Sequence, residues 1–214
     1  MRAIACAAAL MLCAACQPPW ATSRSASEAG EDDVTVPAFA LAATVALPSW
    51  DRAGSCGVAR WAVKTGTDSA AGQVNLIPVP ETVASLGAIP KPQQLGPTRL
   101  PQEMRTVQVT AQLVKVQREG DSDYHLYLTA GGALMISEVP HPSCVASGPF
   151  RVGAAQVRAA VDALVPALAN TRAVVPVGRT VTLTGVVFFD KVYPQPGAAP
   201  NGVEQHPLVA LSAQ

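Results

Sequence analysis

The sequence predicts a mainly β domain of the α+β class with one helix. Three observations carry this. Apolar and polar residues alternate in several runs beyond residue 106, one apolar stripe at helical spacing follows the third run, and turn-forming residues separate the runs. With 214 residues, 49% of them hydrophobic, the chain has enough material to bury the core of one ordinary domain and to carry an extension.

Val107, Val109, Ala111 and Leu113 share one face of the first strand, after which Val114 and Val116 take over the phase. A slip of one residue inside a long strand is what a β-bulge produces, and it lets the strand bend to serve two sheets. Residues 119–123 form a turn. Tyr124, Leu126 and Leu128 then begin a second strand with His125 and Tyr127 on its other face. Gly131 and Gly132 turn the chain into a third, apolar strand over 134–139, which ends at Pro140.

Phe150, Val157, Val161, Leu164 and Leu168 recur at three, four or seven residues and define a helix. Ser147 and Gly148 ahead of Pro149 offer its cap and first-turn proline, and Pro166 kinks or frays its end. The fourth strand spans 179–189, with Thr180, Thr182 and Thr184 on one face, Val181 and Leu183 on the other, and Gly185 allowing a bend. After a turn-rich loop over 190–202, a fifth strand over 203–211 is interrupted by Pro207. Strand, strand, strand, helix, strand, strand (β-β-β-α-β-β) is the chain order of the OB-fold, so the expectation is an OB-like five-stranded barrel over 106–214. An open α+β sheet shows the same string.

The residues before this core divide into three parts. Residues 1–16 read as a signal peptide: Arg2 gives a positive start, 3–12 are an apolar run too short to span a bilayer, and Ala14 and Ala15 precede Cys16. This resembles the lipobox of bacterial lipoproteins, with Cys16 as the acylated residue, although Cys13 stands where Leu is usual; an ordinary secretory signal cut nearby is the alternative. Gln17 in place of Asp by analogy suits sorting to the outer membrane if the source is Gram-negative. Residues 17–48 have the composition of a mostly disordered tether. Residues 49–105 read as an extension packed on the core, in which Arg60 to Lys64 form a short strand and the proline-rich stretch 74–101 wraps the surface as extended chain and turns. The expected location is the bacterial cell envelope, lipid-anchored and facing the periplasm or the exterior.

Of five cysteines, Cys6, Cys13 and Cys16 belong to the export segment, leaving Cys56 and Cys144. An even pair in an oxidising compartment predicts one disulfide, with two buried thiols as the alternative. Lys plus Arg equals Asp plus Glu at 15 each, so no positive field favours nucleic acid as a partner.

Five segments together carry a resemblance: Cys56 to Thr65 with Asp68; Asp121-Ser122-Asp123-Tyr124-His125-Leu126; Met135-Ile136-Ser137-Glu138-Val139-Pro140 with Cys144; Gly185 to Asp190; and Asn201-Gly202-Val203-Glu204 with His206-Pro207. The chain resembles a family of exported bacterial proteins to which no activity is attached. The resemblance implies export and one integrated domain. Gln205 stands between Glu204 and His206 where an apolar residue is expected.

The groups with chemical potential are Asp121, Asp123, His125, Glu138, Glu204 and His206. His125 is the best single catalytic candidate, with Glu138 or Asp123 as its partner on a neighbouring strand and His206 as a further candidate; a carboxylate and imidazole pair activates water or binds a metal. Tyr127, Tyr193 and Asn201 are candidates for binding. Each has a plainer role too: a solvated His125, a Glu138 paired with a cation and a His206 capping its strand. Lys64, Thr65 and Asp68 read as a polar cluster or, preferably, as a turn with the lysine in solvent. Trp61 reads as a cover for the core or the disulfide. No H-x-H, H-E-x-x-H or paired-cysteine motif marks a metal and no fingerprint marks a cofactor, so none is expected. Nor is there a G-x-S-x-G elbow.

The sequence therefore predicts a binding or structural module of the envelope, held to the membrane by lipid, with an envelope protein or glycan as partner. The alternative is a divalent-metal-dependent hydrolase of phosphodiester type, with His125, Glu138 and an aspartate around the ion. Convergence of Asp123, His125, Glu138 and His206 in one pocket is what separates the second from the first.

Overall fold

A computed structural model describes residues 56–57, 59–145, 147–192 and 195–214. The expected signal peptide and tether, Cys16 and Tyr193 lie outside the described residues. Among the described residues the chain is mainly β, a six-stranded mixed sheet with few helices. No described helix is long and apolar enough to cross a membrane.

Chain order departs from expectation before the core. Helix α1 (Trp61–Thr65) occupies the place expected to be a strand. Five residues are too few to tell a period of 2 from one of 3.6, and the left-handed Gly66, whose N–H bonds the Ala62 and Val63 carbonyls, closes the segment as a helix. Strand β1 (Asn75–Glu81) and helix α2 (Val83–Gly87) replace the expected irregular wrap. Pro78 and Pro80 are tolerated because β1 is an edge strand, paired in parallel with one neighbour and exposed along most of its length. Thr82 starts α2 through a capping box, its hydroxyl accepting from the Ser85 N–H while the Ser85 hydroxyl accepts from the Thr82 N–H.

The expected elements after residue 105 follow as β2 (Arg105–Arg118), β3 (Tyr124–Ala130), β4 (Ala133–Val139), α3 (Arg151–Leu164), β5 (Val175–Phe189) and β6 (Val203–Ala213). Val107, Val109, Ala111 and Leu113 are buried, and the register of β2 shifts between Leu113 and Lys115 against both its partners, which is the anticipated bulge. One edge of β2 takes β5; the other takes β1 over its first half and β3 over its second. β3 pairs antiparallel with β4, β4 pairs parallel with β6 at Ile136 and Ser137, and β6 pairs antiparallel with β5. The β5–β6 register slips on either side of Gly185, opposite a β6 that runs unbroken through Pro207.

The apolar residues facing one another from these strands, among them Val107, Leu126, Met135, Leu183 and Leu208, form the main core. Helix α3 lays Val157 and Val161 on it, with Leu168 following in a 3-10 turn over Pro166–Asn170. The helix comes close to β6 because Gly153 has no side chain: a Cβ there would stand 2.7 Å from the Val209 carbonyl oxygen. Its cap differs from expectation, since Phe150 holds the N-cap position without a side-chain hydrogen bond and Ser147 lies too early to serve.

A disulfide ties the extension to the core, and a buried ion pair within the extension reaches the core through the Phe189 backbone. Cys56 and Cys144 form the expected disulfide across 88 residues. Arg60 grips the buried Glu103 through both guanidinium nitrogens, at 2.6 and 2.7 Å, and donates to the carbonyls of Gly96, Thr98 and Phe189. Glu103 in turn accepts from the Leu100 and Phe189 N–H groups. Glu103→Gln is therefore expected to cost about 3 kcal/mol in urea unfolding, because it leaves a buried guanidinium without its counter-charge. A loss below about 1 kcal/mol would mean the pair is dispensable.

Candidate functional site

Strand register assembles the site. His125 on β3 stands directly opposite Glu138 on β4. The parallel pairing of Ile136 with Glu204 and Ser137 with Gln205 brings β6 alongside, and alternation places Glu204 and His206 on one face. The turn at 119–123 holds Asp123, whose Oδ1 accepts from the His141 N–H at 2.8 Å. From outside the sheet, α1 delivers Lys64.

Glu138 is the hub. Its Oε1 lies 3.0 Å from His125 Nε2, and its Oε2 lies 2.7 Å from His206 Nδ1 and 3.5 Å from Lys64 Nζ. Lys64 also pairs with Asp190 at 2.9 Å, and His206 Nε2 stands 3.9 Å from Asp123 Oδ2. Part of this cluster borders a cleft of about 280 Å³ whose lining includes Lys64, Asp121, His125, Glu138, Asp190 and Glu204. Of the four residues whose convergence in one pocket was the criterion, His125 and Glu138 line the cleft, while Asp123 and His206 are buried beside Glu138 and do not line it.

No protein-family model matches the chain, and no curated protein is significantly similar to it. The site has to be read from its own chemistry.

Burial sets the protonation states, and neighbours then divide them. Burial alone would raise Glu138, but the charges of His125 and Lys64 hold its carboxyl well below the ordinary range. Burial and the Glu138 charge push Glu204 well above its ordinary value, opposite to Glu138. Burial, then the charge of Asp121, pushes Asp123 up to about 7. Burial would lower His125, yet Glu138 and then Glu119 outweigh it and raise the imidazole above its ordinary value. His206, wholly buried, is pushed below its ordinary value and stays neutral. Lys64 is raised: burial opposes its charge, but Glu138, Glu204 and Asp190 prevail.

This has a consequence for stability in metal-free buffer. A carboxyl that keeps its proton in the fold to about pH 7, against about 3.9 when unfolded, stabilises the fold at low pH and loses that contribution as pH rises across the window. An amide needs no proton. Asp123→Asn should therefore gain on the wild type in melting temperature between pH 5 and pH 8, by about 3 °C or more. Parallel pH dependence of the two proteins would show that Asp123 titrates normally.

The other expected residues fall into place less centrally. Tyr127 is nearly buried beside His125, with Lys115 over its ring at 4.2 Å and its hydroxyl between Gln117 and Gln195. Asn201 spends its amide on the Leu86 and Ile89 carbonyls and its oxygen on the Val203 N–H, which fastens α2 to the loop before β6. The expected turn with a solvated Lys64 is not what forms: Lys64 enters the cluster, Thr65 bonds the Trp61 carbonyl, and Asp68 pairs with Arg99 at 2.8 Å. Trp61 is half-buried, and a side chain at Gly57 would collide with its ring. Sequence reasoning preferred a solvated Lys64 to the polar cluster it also allowed, and it missed Asp190, whose only available signal was membership in a segment that carried the resemblance.

Proposed function

We propose that the chain is an exported envelope lipoprotein, anchored through Cys16, whose OB-like five-stranded barrel carries a hydrolytic site for phosphodiester-type substrates. The signal segment and its cysteine support the location. The ring of pairings from β2 through β3, β4, β6 and β5 back to β2, with a long bulged β2, supports the barrel, and β1 is then an added edge strand. A cleft lined by His125, Glu138, Glu204 and Lys64, with the buried His206 against the same Glu138, is the observation that favours an enzyme over a purely binding module.

In this reading His125 handles the proton and Glu138 positions it. The imidazole takes a proton from water as the water oxygen attacks phosphorus, becomes an imidazolium facing the Glu138 carboxylate, and returns the proton to the leaving oxygen as the phosphorus–oxygen bond breaks. Lys64 offsets substrate charge near the same carboxylate. The test is hydrolysis of bis(p-nitrophenyl) phosphate by the purified protein and by His125→Ala. Turnover that disappears in the variant supports the reading; a wild-type protein no faster than buffer overturns it.

A further inference from the structure

We infer that Asp123, Glu138 and His206 hold one divalent cation in the buried cluster that adjoins the cleft at Glu138. The inference deepens the hydrolase reading and rests on it for what the cation does, though not for its binding.

The three residues come from three separate segments, are all buried, and offer one ligand atom each within 4.8 Å of one another. Metal bonds to imidazole nitrogen and carboxylate oxygen run about 2.0 to 2.2 Å, so two ligands across an ion stand about 4.2 Å apart. The triad is therefore already close to the span that an ion requires.

His206 gives the independent sign. It is 0% exposed, and neither ring nitrogen has a hydrogen-bond partner among the described residues. Nδ1 lies near Glu138 Oε2 but at an angle that makes no hydrogen bond, and Nε2 is 3.9 Å from Asp123, beyond hydrogen-bond reach. A buried imidazole left unsatisfied at both nitrogens is costly unless something else takes a lone pair.

Both carboxylates are also prepared as ligands. Asp123 has one oxygen tied to the His141 N–H, with the other facing His206. Glu138 has one oxygen tied to His125, with the other facing His206. Such outer contacts orient ligating groups. His125 belongs to this outer ring, because its Nε2 is engaged with Glu138 and the Gln195 amide sits 3.2 Å from its Nδ1. That corrects the expectation that His125 itself surrounds the ion. Lys64 competes for Glu138 Oε2 from 3.5 Å, but Asp190 at 2.9 Å is its nearer partner and keeps it when a cation enters.

One imidazole and two carboxylates suit Zn²⁺ or Mn²⁺ better than Ca²⁺ or Mg²⁺, which favour all-oxygen sets. Three protein ligands leave positions open, which suits an oxyanionic ester such as a phosphodiester.

The experiment is calorimetric titration of the full-length, chelator-stripped protein with Zn²⁺ and with Mn²⁺. One equivalent per chain is expected, with affinity about 100-fold lower in Asp123→Asn and His206→Gln and about tenfold lower in His125→Ala, which removes only an orienting contact. Anomalous scattering from Mn²⁺-soaked wild-type crystals locates the ion even where the His206 variant does not fold. Density among the three residues supports the site; density at Glu119 or Asp121 instead, or no stoichiometric binding, overturns it. Turnover without binding overturns the cation and leaves the hydrolase, whereas binding without turnover overturns the hydrolase and leaves the cation.

Discussion

Glu138→Gln is expected to lower kcat/KM for bis(p-nitrophenyl) phosphate by about 10² to 10⁴ while the protein stays folded. Glu138 is the only group in contact with both site imidazoles among the described residues, at 3.0 and 2.7 Å, and with Lys64. Glutamine keeps the volume and one carbonyl oxygen but removes the charge that faces the imidazolium of His125. It also offers an N–H₂ group where an acceptor is needed, so one nitrogen turns toward a donor. The loss falls on the transition state, in which His125 is charged, more than on substrate binding, so kcat should fall more than KM rises. Steady-state kinetics with circular dichroism as the folding control checks this; a loss under about fivefold would remove Glu138 from the mechanism.

Replacing both bridge cysteines, Cys56→Ser with Cys144→Ser, is expected to destabilise the protein by about 4 to 5 kcal/mol at most. That is the chain-entropy value for a loop of this length, read against the 88 residues separating the two cysteines. The effect should also reach the cleft. Cys56 lies just before α1, which carries Lys64, and Cys144 lies three residues after His141, whose N–H holds Asp123. Urea unfolding of the variant and the wild type measures the first effect, and turnover at a temperature where both are folded measures the second. Equal midpoints would show that the noncovalent contacts secure the extension without the bridge.

What the sequence made legible was local. The β2 bulge shows as a phase slip at Val114, the α3 face as a stripe, and the bend at Gly185 as a glycine in a threonine-rich strand, because each pattern depends on neighbours a few residues away. Strand β1 was hidden by Pro78 and Pro80, which count against a strand unless it is known to sit at an edge, and edge status is a tertiary fact. Helix α1 was too short to show a period.

The site divides in the same way. Asp123, His125, Glu138 and His206 could be named as chemically able groups on alternating positions, since the strands that carry them were visible. That Glu138 faces both imidazoles depends on the parallel match of β4 with β6, which no local pattern encodes. Lys64 and Asp190 join through packing of α1 and of the end of β5, and their sequence surroundings are those of ordinary surface residues. The five segments that carried the resemblance each send a residue to this cluster: Lys64, then Asp123 with His125, then Glu138, then Asp190, then Glu204 with His206.

The most direct test of the central claim, that these groups work as one unit, is a double-mutant cycle on phosphodiester turnover with His125→Ala and Glu138→Gln. If His125 acts only with Glu138 behind it, the double variant will be no slower than the slower single variant. Penalties that multiply would show two residues acting independently, and would contradict the account.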